Sequence, residues 1–159
     1  MQTKEMVAAL RRHPFDKDFV PAHVERLGAL AREAHFDRDQ LIFREGDEWS
    51  QFYLIIEGRV ALEMATPEGP LRVQTLSDGD ELGWSAVLVG QGKYFQARAL
   101  EPVTALAFEG GELMDACRAD PSFGFAFIYR VLEVVSERLQ ATRLQVIDHF
   151  SPAAKRAGA

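Results

Sequence analysis

The chain has 159 residues, is 47% hydrophobic and carries a formal net charge of −6, which gives apolar content enough for one packed domain and argues against disorder. Its longest apolar runs, FYLII and FGFAFIY, fall far short of the ~20 residues of a membrane-spanning helix, and no basic-then-apolar leader opens it, so a soluble, cytoplasmic protein with no membrane association is expected. Acidic and basic residues are intermixed, an arrangement unsuited to neutralising nucleic-acid phosphates. Cys117 is the single cysteine and allows neither an internal disulfide nor a thiolate metal site within one chain. A buried, inert thiol is expected.

The first third reads as helix. TKEMVAALRRH places Thr3 as an N-cap, and PAHVERLGALAREAH puts Pro21 in a first turn with Val24, Leu27 and Leu30/Ala31 at helical spacing. From Phe36 to Phe108 the period becomes two, and glycines punctuate it at turn-like positions, among them Gly58, Gly69, Gly79 and Gly83. Val60, Leu62 and Met64 point one way, Arg59 and Glu63 the other, and TPEGP closes a hairpin. Strands of this kind in series predict a small antiparallel barrel or jelly roll, spanning about residues 34–108. GGELMDACRAD follows as a short helix, and Pro121 opens a long one that runs to about Phe150. The last nine residues, SPAAKRAGA, read as a flexible tail.

The long helix carries two rows. Phe125, Ile128, Leu132, Val135, Leu139, Thr142, Val146 and His149 recur in alternating steps of three and four, the seam of a left-handed coiled coil, and predict a homodimer. Phe127, Val131 and Val134 lie off the seam and are expected to pack on the subunit's own barrel. The alternative is one wide core-facing stripe in a monomer.

Helices, then glycine-punctuated strands, then a long helix is the order found in cyclic nucleotide-binding domains, and the residues agree. LIFREGDEWSQFYLIIEGRVAL resembles that family's first strands and glycine turn, LSDGDELG the turn into its phosphate-binding cassette, ARALEPVTALAFEGGELMDAC its closing strands and following helix. SERLQATRLQVIDHF is similar to the dimer helix of catabolite-activator-like bacterial regulators. The resemblance covers roughly residues 22 to 150. It implies an α+β, mainly β fold: an antiparallel jelly-roll barrel with N-terminal helices and a C-terminal dimerisation helix, the cyclic nucleotide-binding-like unit occupying residues 1–150.

It also implies where a ligand would sit. In the family a glycine precedes a glutamate that holds the ribose hydroxyl, and an arginine some ten residues on pairs with the cyclic phosphate. Here Gly83 is kept, the glutamate position is Trp84, the arginine position falls on Lys93, and the next residue, often a small hydroxyl, is Tyr94. Lysine keeps the charge but loses the planar two-pronged bond of arginine. An indole offers one donor and no acceptor to a hydroxyl. The backbone of the glycine turn, with Ser85 near the start of WSAVL, can still favour an anion. Thr142 stands where the family's activators set a threonine against the purine, with Arg143 after it; one polar residue in an apolar seam equally serves to fix coiled-coil register. Ligand contacts are therefore expected at Leu82, Gly83, Trp84, Ser85, Lys93, Tyr94, Thr142 and Arg143. The expected ligand is a cyclic nucleotide or another small, planar anion stacking on Trp84 or Tyr94 with Lys93 for charge. Trp84 as a plain core residue is the other reading.

No constellation for catalysis or a resident cofactor is legible. His13, His23, His35 and His149 fall on helical or boundary segments, no strand carries a His-x-His pair, and Ser85 has no histidine beside it in sequence. Family activators read DNA with a helix-turn-helix module after the dimer helix, for which SPAAKRAGA is too short, so this chain alone is not expected to bind nucleic acid. The leading expectation is a regulatory, ligand-sensing homodimer acting on a protein partner. The alternatives are a degenerate dimeric scaffold that binds no nucleotide, and a transcription regulator without its DNA-reading part.

Overall fold

The computed structural model describes residues 2–44, 46, 51–87 and 95–150. Two helices open the chain, α1 (Thr3–Arg12) and α2 (Pro21–Leu30), joined through a 3-10 turn at Pro14–Asp16. Thr3 is the first helical residue rather than the cap: Gln2 takes that position, and its backbone N–H donates to Glu5 Oε2 at 2.8 Å. Helix α2 starts on Pro21, where a missing N–H costs nothing. It ends at Leu30, short of the predicted AREAH extension, because Arg32–Phe36 is a strand, β1, paired residue for residue with Ala107 to Val103 of the last strand. A ladder of five pairs overrides the weak helical preference of those side chains.

Seven further strands follow: β2 (Leu41–Phe43), β3 (Gln51–Glu57), β4 (Val60–Thr66), β5 (Gly69–Leu76), β6 (Glu81–Leu82), β7 (Gln96–Ala99) and β8 (Val103–Glu109). They form two four-stranded antiparallel sheets, ordered β1-β8-β3-β6 and β2-β7-β4-β5. First pairs with last, second with seventh, third with sixth, fourth with fifth. The chain is thus one long hairpin, its tip at the predicted Thr66–Gly69 turn, rolled into two facing sheets, and the jelly roll expected from the sequence is what forms.

The run FYLII on β3 is continuously apolar because both faces of the strand are covered. Tyr53 and Ile55 enter a cluster between the sheets with Val60, Leu62 and Leu82. Phe52 and Leu54 enter a second cluster under the helices with Phe15, Phe123 and Phe127. Phe15 meets Phe52 and Phe127 at ring-centroid distances of 5.4 and 5.8 Å, so the N-terminal turn, the sheet and the last helix share one core. Each such ring contributes about 1.5–3 kcal/mol through burial.

Helices α3 (Gly110–Ala119) and α4 (Pro121–Phe150) complete the chain. Asp120 caps α4, its carboxylate accepting from the Phe123 N–H at 3.3 Å, and Pro121 begins it. Phe127, Val131 and Val134 are buried against the chain's own core, as expected. Ile128, Leu132, Leu139 and Val146 remain exposed, so the two rows do not merge into a single core stripe. Cys117 is buried, and burial pushes its thiol up and away from reactivity.

Candidate functional site

At Leu82 the short strand β6 ends, and Gly83 turns the chain with φ = +79°, a conformation that a side chain resists. Trp84–Val87 follow as one 3-10 turn. This turn is clamped from behind: a Cβ built on Gly110, the first residue of α3, would stand 1.9 Å from the Ala86 carbonyl oxygen. Only glycine at position 110 lets α3 sit directly on this turn, so the two form one packed unit.

In front of the turn lies a cavity of about 390 Å³. The β2-β7-β4-β5 sheet supplies one wall, with Leu62, Met64 and Val73. The turn at residues 82–85 supplies the second, and α4 the third, with Val135, Arg138 and Thr142. The wall of α4 is held in place by polar contacts with the sheets. Gln145 Nε2 donates to the Val73 carbonyl at 3.1 Å, and Arg138 Nη2 donates to the Glu81 carbonyl.

Beneath this wall is a buried charge cluster. The Glu81 carboxylate lies 3.8 Å from Arg130 Nη2 and 3.9 Å from Arg138 Nη2, while Arg130 Nε donates to the Phe15 carbonyl at 2.9 Å. Burial pushes the Glu81 carboxyl up, and the two guanidiniums offset this only in part. Burial likewise pulls Arg138 down, with Glu81 as the chief opposing charge. At these separations desolvation outweighs attraction, so the cluster fixes where α4 lies more than it stabilises the fold. His13 adds a tie from the N-terminal side, its Nε2–H donating to the Asp80 carbonyl at 3.2 Å while Nδ1 accepts from the Phe15 N–H at 3.0 Å.

Of the residues singled out in the sequence, Leu82, Gly83, Trp84, Ser85 and Thr142 line the cavity. Trp84 is half-buried and packs on the helical core with part of its surface while presenting part to the cavity. Thr142 donates its hydroxyl to the Arg138 carbonyl of its own helix at 3.0 Å. Arg143 is exposed and is not among the lining residues. Lys93 and Tyr94 lie outside the described residues. Among the seam residues, Val135 and Leu139 also line the cavity. The sequence reading missed Glu81, Arg130 and Arg138. The signal was present for Arg138: Phe127, Val131 and Val134 continue at the same spacing to position 138, which sets that arginine on the inward face. Among the described residues no three His, Cys, Asp or Glu side chains gather into a metal site, and no helix is long and apolar enough to cross a membrane.

The profile of the cyclic nucleotide-binding domain matches residues 33–120, over half of the chain, and the chain belongs to that family. A comparison with curated proteins gave no match. Among solved structures, a cyclic nucleotide-binding domain from Methylobacillus flagellatus superposes with a TM-score of 0.77 at 19% identity, covering 95% of this chain and 83% of that one. The N-terminal domain of a transcriptional regulator from Streptomyces coelicolor gives 0.67 at 25% identity, with 84% and 94% covered. The Thermus thermophilus catabolite activator protein gives 0.70 at 20% identity, with 84% of this chain and 61% of that one covered. The fold is that of a regulatory, ligand-sensing domain.

Proposed function

We propose that this chain senses a small anionic ligand in the cavity beside Gly83 through a modified phosphate-binding cassette, and that it acts as a homodimer joined along α4. The observation that carries this reading is the make-up of the cavity: α4 is one of its walls. A ligand there touches the helix directly, and it shifts the helix to the extent that its affinity differs between two helix positions. Trp84 in place of a ribose-binding carboxylate and Lys93 in place of the phosphate arginine weaken recognition of cyclic AMP and cyclic GMP. The dimer is supported by Phe125, Leu132, Leu139 and Val146, which are 73, 62, 69 and 52% exposed along one helix, more apolar surface than an isolated helix face keeps in water. The same stripe favours a second reading, a dimeric scaffold that binds no small molecule.

Thermal unfolding of the purified chain with cyclic mononucleotides, alongside native mass spectrometry for retained ligand, separates the two. A ligand at a hundred times its Kd adds about 2.7 kcal/mol. Such a shift, or a co-purified anion, supports the sensor. No shift with any nucleotide and no retained mass favours the scaffold.

A further inference from the structure

We propose that the cavity's ligand is an amphipathic monoanion, an apolar aromatic or branched acid rather than a nucleotide, and that Arg138 of α4 receives its acidic group. This rests on the reading of the cavity as the ligand site and names the class of molecule that fits it.

The cavity wall is predominantly apolar, built on Leu62, Met64, Val73, Trp84, Phe95 and Leu139 among the described residues. Two of its polar side chains, Thr142 and Gln145, are committed to the protein itself, with Gln74 and Ser85 beside them on the wall. The Thr142 hydroxyl donates within α4, and the Gln145 amide N–H donates to the β5 backbone. A sugar and a purine each bring several donors and acceptors, and each one buried without a partner weakens binding. An apolar body brings none.

Arg138 is the charged residue among the described lining residues, and its side chain is only 17% exposed. Around it, the buried guanidinium of Arg130 and the partly buried one of Arg138 share one buried carboxylate, Glu81, at 3.8 and 3.9 Å. The other carboxylates within reach of Arg130, Glu133 and Glu137, lie towards solvent at 34 and 67% exposure, where water screens them. Asp80 is a further opposing charge on Arg138, and of the two guanidiniums, both carried by α4, Arg138 is the one that lines the cavity. With Arg138 the one charged side chain on the described wall, a single negative group on the ligand meets it, and a second would be buried without a partner. Because the receiving cation sits on the helix, recognition and helix movement fall on the same side chain.

The test uses 8-anilinonaphthalene-1-sulfonate and its uncharged counterpart N-phenyl-1-naphthylamine, titrated by fluorescence into the full chain, with cyclic AMP as a separate ligand. The sulfonate is expected to saturate at one per chain and to bind about tenfold tighter than the neutral probe, the gain of a charge-assisted bond to arginine. In Arg138→Gln that preference is expected to vanish while the neutral probe still binds, and Arg138→Lys is expected to restore part of it. Met64→Trp, which narrows the cavity, is expected to weaken both probes, separating this site from the exposed face of α4. If Arg138→Gln does not fold, the wild-type preference and the lysine variant decide. Equal affinities for the two probes in the wild type overturn the proposal, as does a preference that survives Arg138→Gln or that is lost in Lys93→Ala instead. Tight cyclic AMP binding with no sulfonate binding overturns the ligand class and leaves the sensor standing. No binding of any of the three overturns both.

Discussion

His13 shows how a single side chain ties the N-terminal turn to the sheets. Its ring donates through Nε2 and accepts through Nδ1, which requires the neutral form, and burial pulls it below its ordinary value of 6.5. The unfolded chain therefore holds the proton more tightly than the folded one between that lowered value and 6.5. Stability contributed by His13 is whole above about pH 6.5 and is lost as the pH falls through that window, with a slope of at most about 1.4 kcal/mol per pH unit for one proton. Urea unfolding of the wild type and of His13→Gln from pH 7.5 to 5 is expected to show a steeper fall in the wild type; parallel curves would contradict the assignment. Gly110 is the second such residue. Gly110→Ala drives a methyl group into the Ala86 carbonyl and is expected to cost about 1–3 kcal/mol or more, read as a lower denaturation midpoint. Neither role was legible in the sequence, since one depends on a partner 67 residues away and the other on a contact between elements whose packing no local pattern encodes.

At the scale of the element, α4 carries most of the argument. Its inner row was legible because Phe127, Val131 and Val134 keep helical spacing, and they are buried as that spacing requires. Position 138 was legible on the same row, but its role was not, because a charged side chain at the end of an apolar row reads as solvent-facing until a group to receive it, here Glu81, is known. Strand β1 failed in the opposite direction: AREAH has helix-forming residues, and only the waiting edge of β8 makes it extended. For the outer row, Leu132→Glu is expected to convert dimers into single chains in light scattering, because it places an unpaired carboxylate at the proposed seam. Leu132 is 62% exposed in the single chain and does not line the cavity, so the fold and the ligand site are expected to survive. An unchanged mass would count against the zipper.

At the scale of the molecule, the jelly roll was legible from its strands, its turns and its resemblance to a family. The nested pairing of first strand with last was not, since period-two patterns identify strands without naming their partners. The cavity itself was foreseen only as a space beside Gly83, and its third wall became visible once α4 was seen to continue past the core, across the cassette. That wall is what joins ligand occupancy to the proposed dimer: a guest that tightens or loosens the contact between Arg138 and Glu81 changes the position of the helix on which the second subunit would rest. Occupancy and dimer strength are then expected to change together, and by thermodynamic reciprocity the dimeric chain should bind the ligand with a different affinity from the monomeric Leu132→Glu variant.

The central claim, that the space between the cassette and α4 receives a small anion, is open to direct measurement because Trp84 lines it and Trp49 is the one other tryptophan. In a Trp49→Phe chain, the emission of Trp84 is expected to change saturably, at one ligand per chain, when the protein is titrated with the aromatic sulfonate, cyclic AMP and cyclic GMP in turn, with the largest response to the sulfonate. Emission unmoved by all three up to about millimolar concentration, where binding would contribute less than about 4 kcal/mol, would contradict the account.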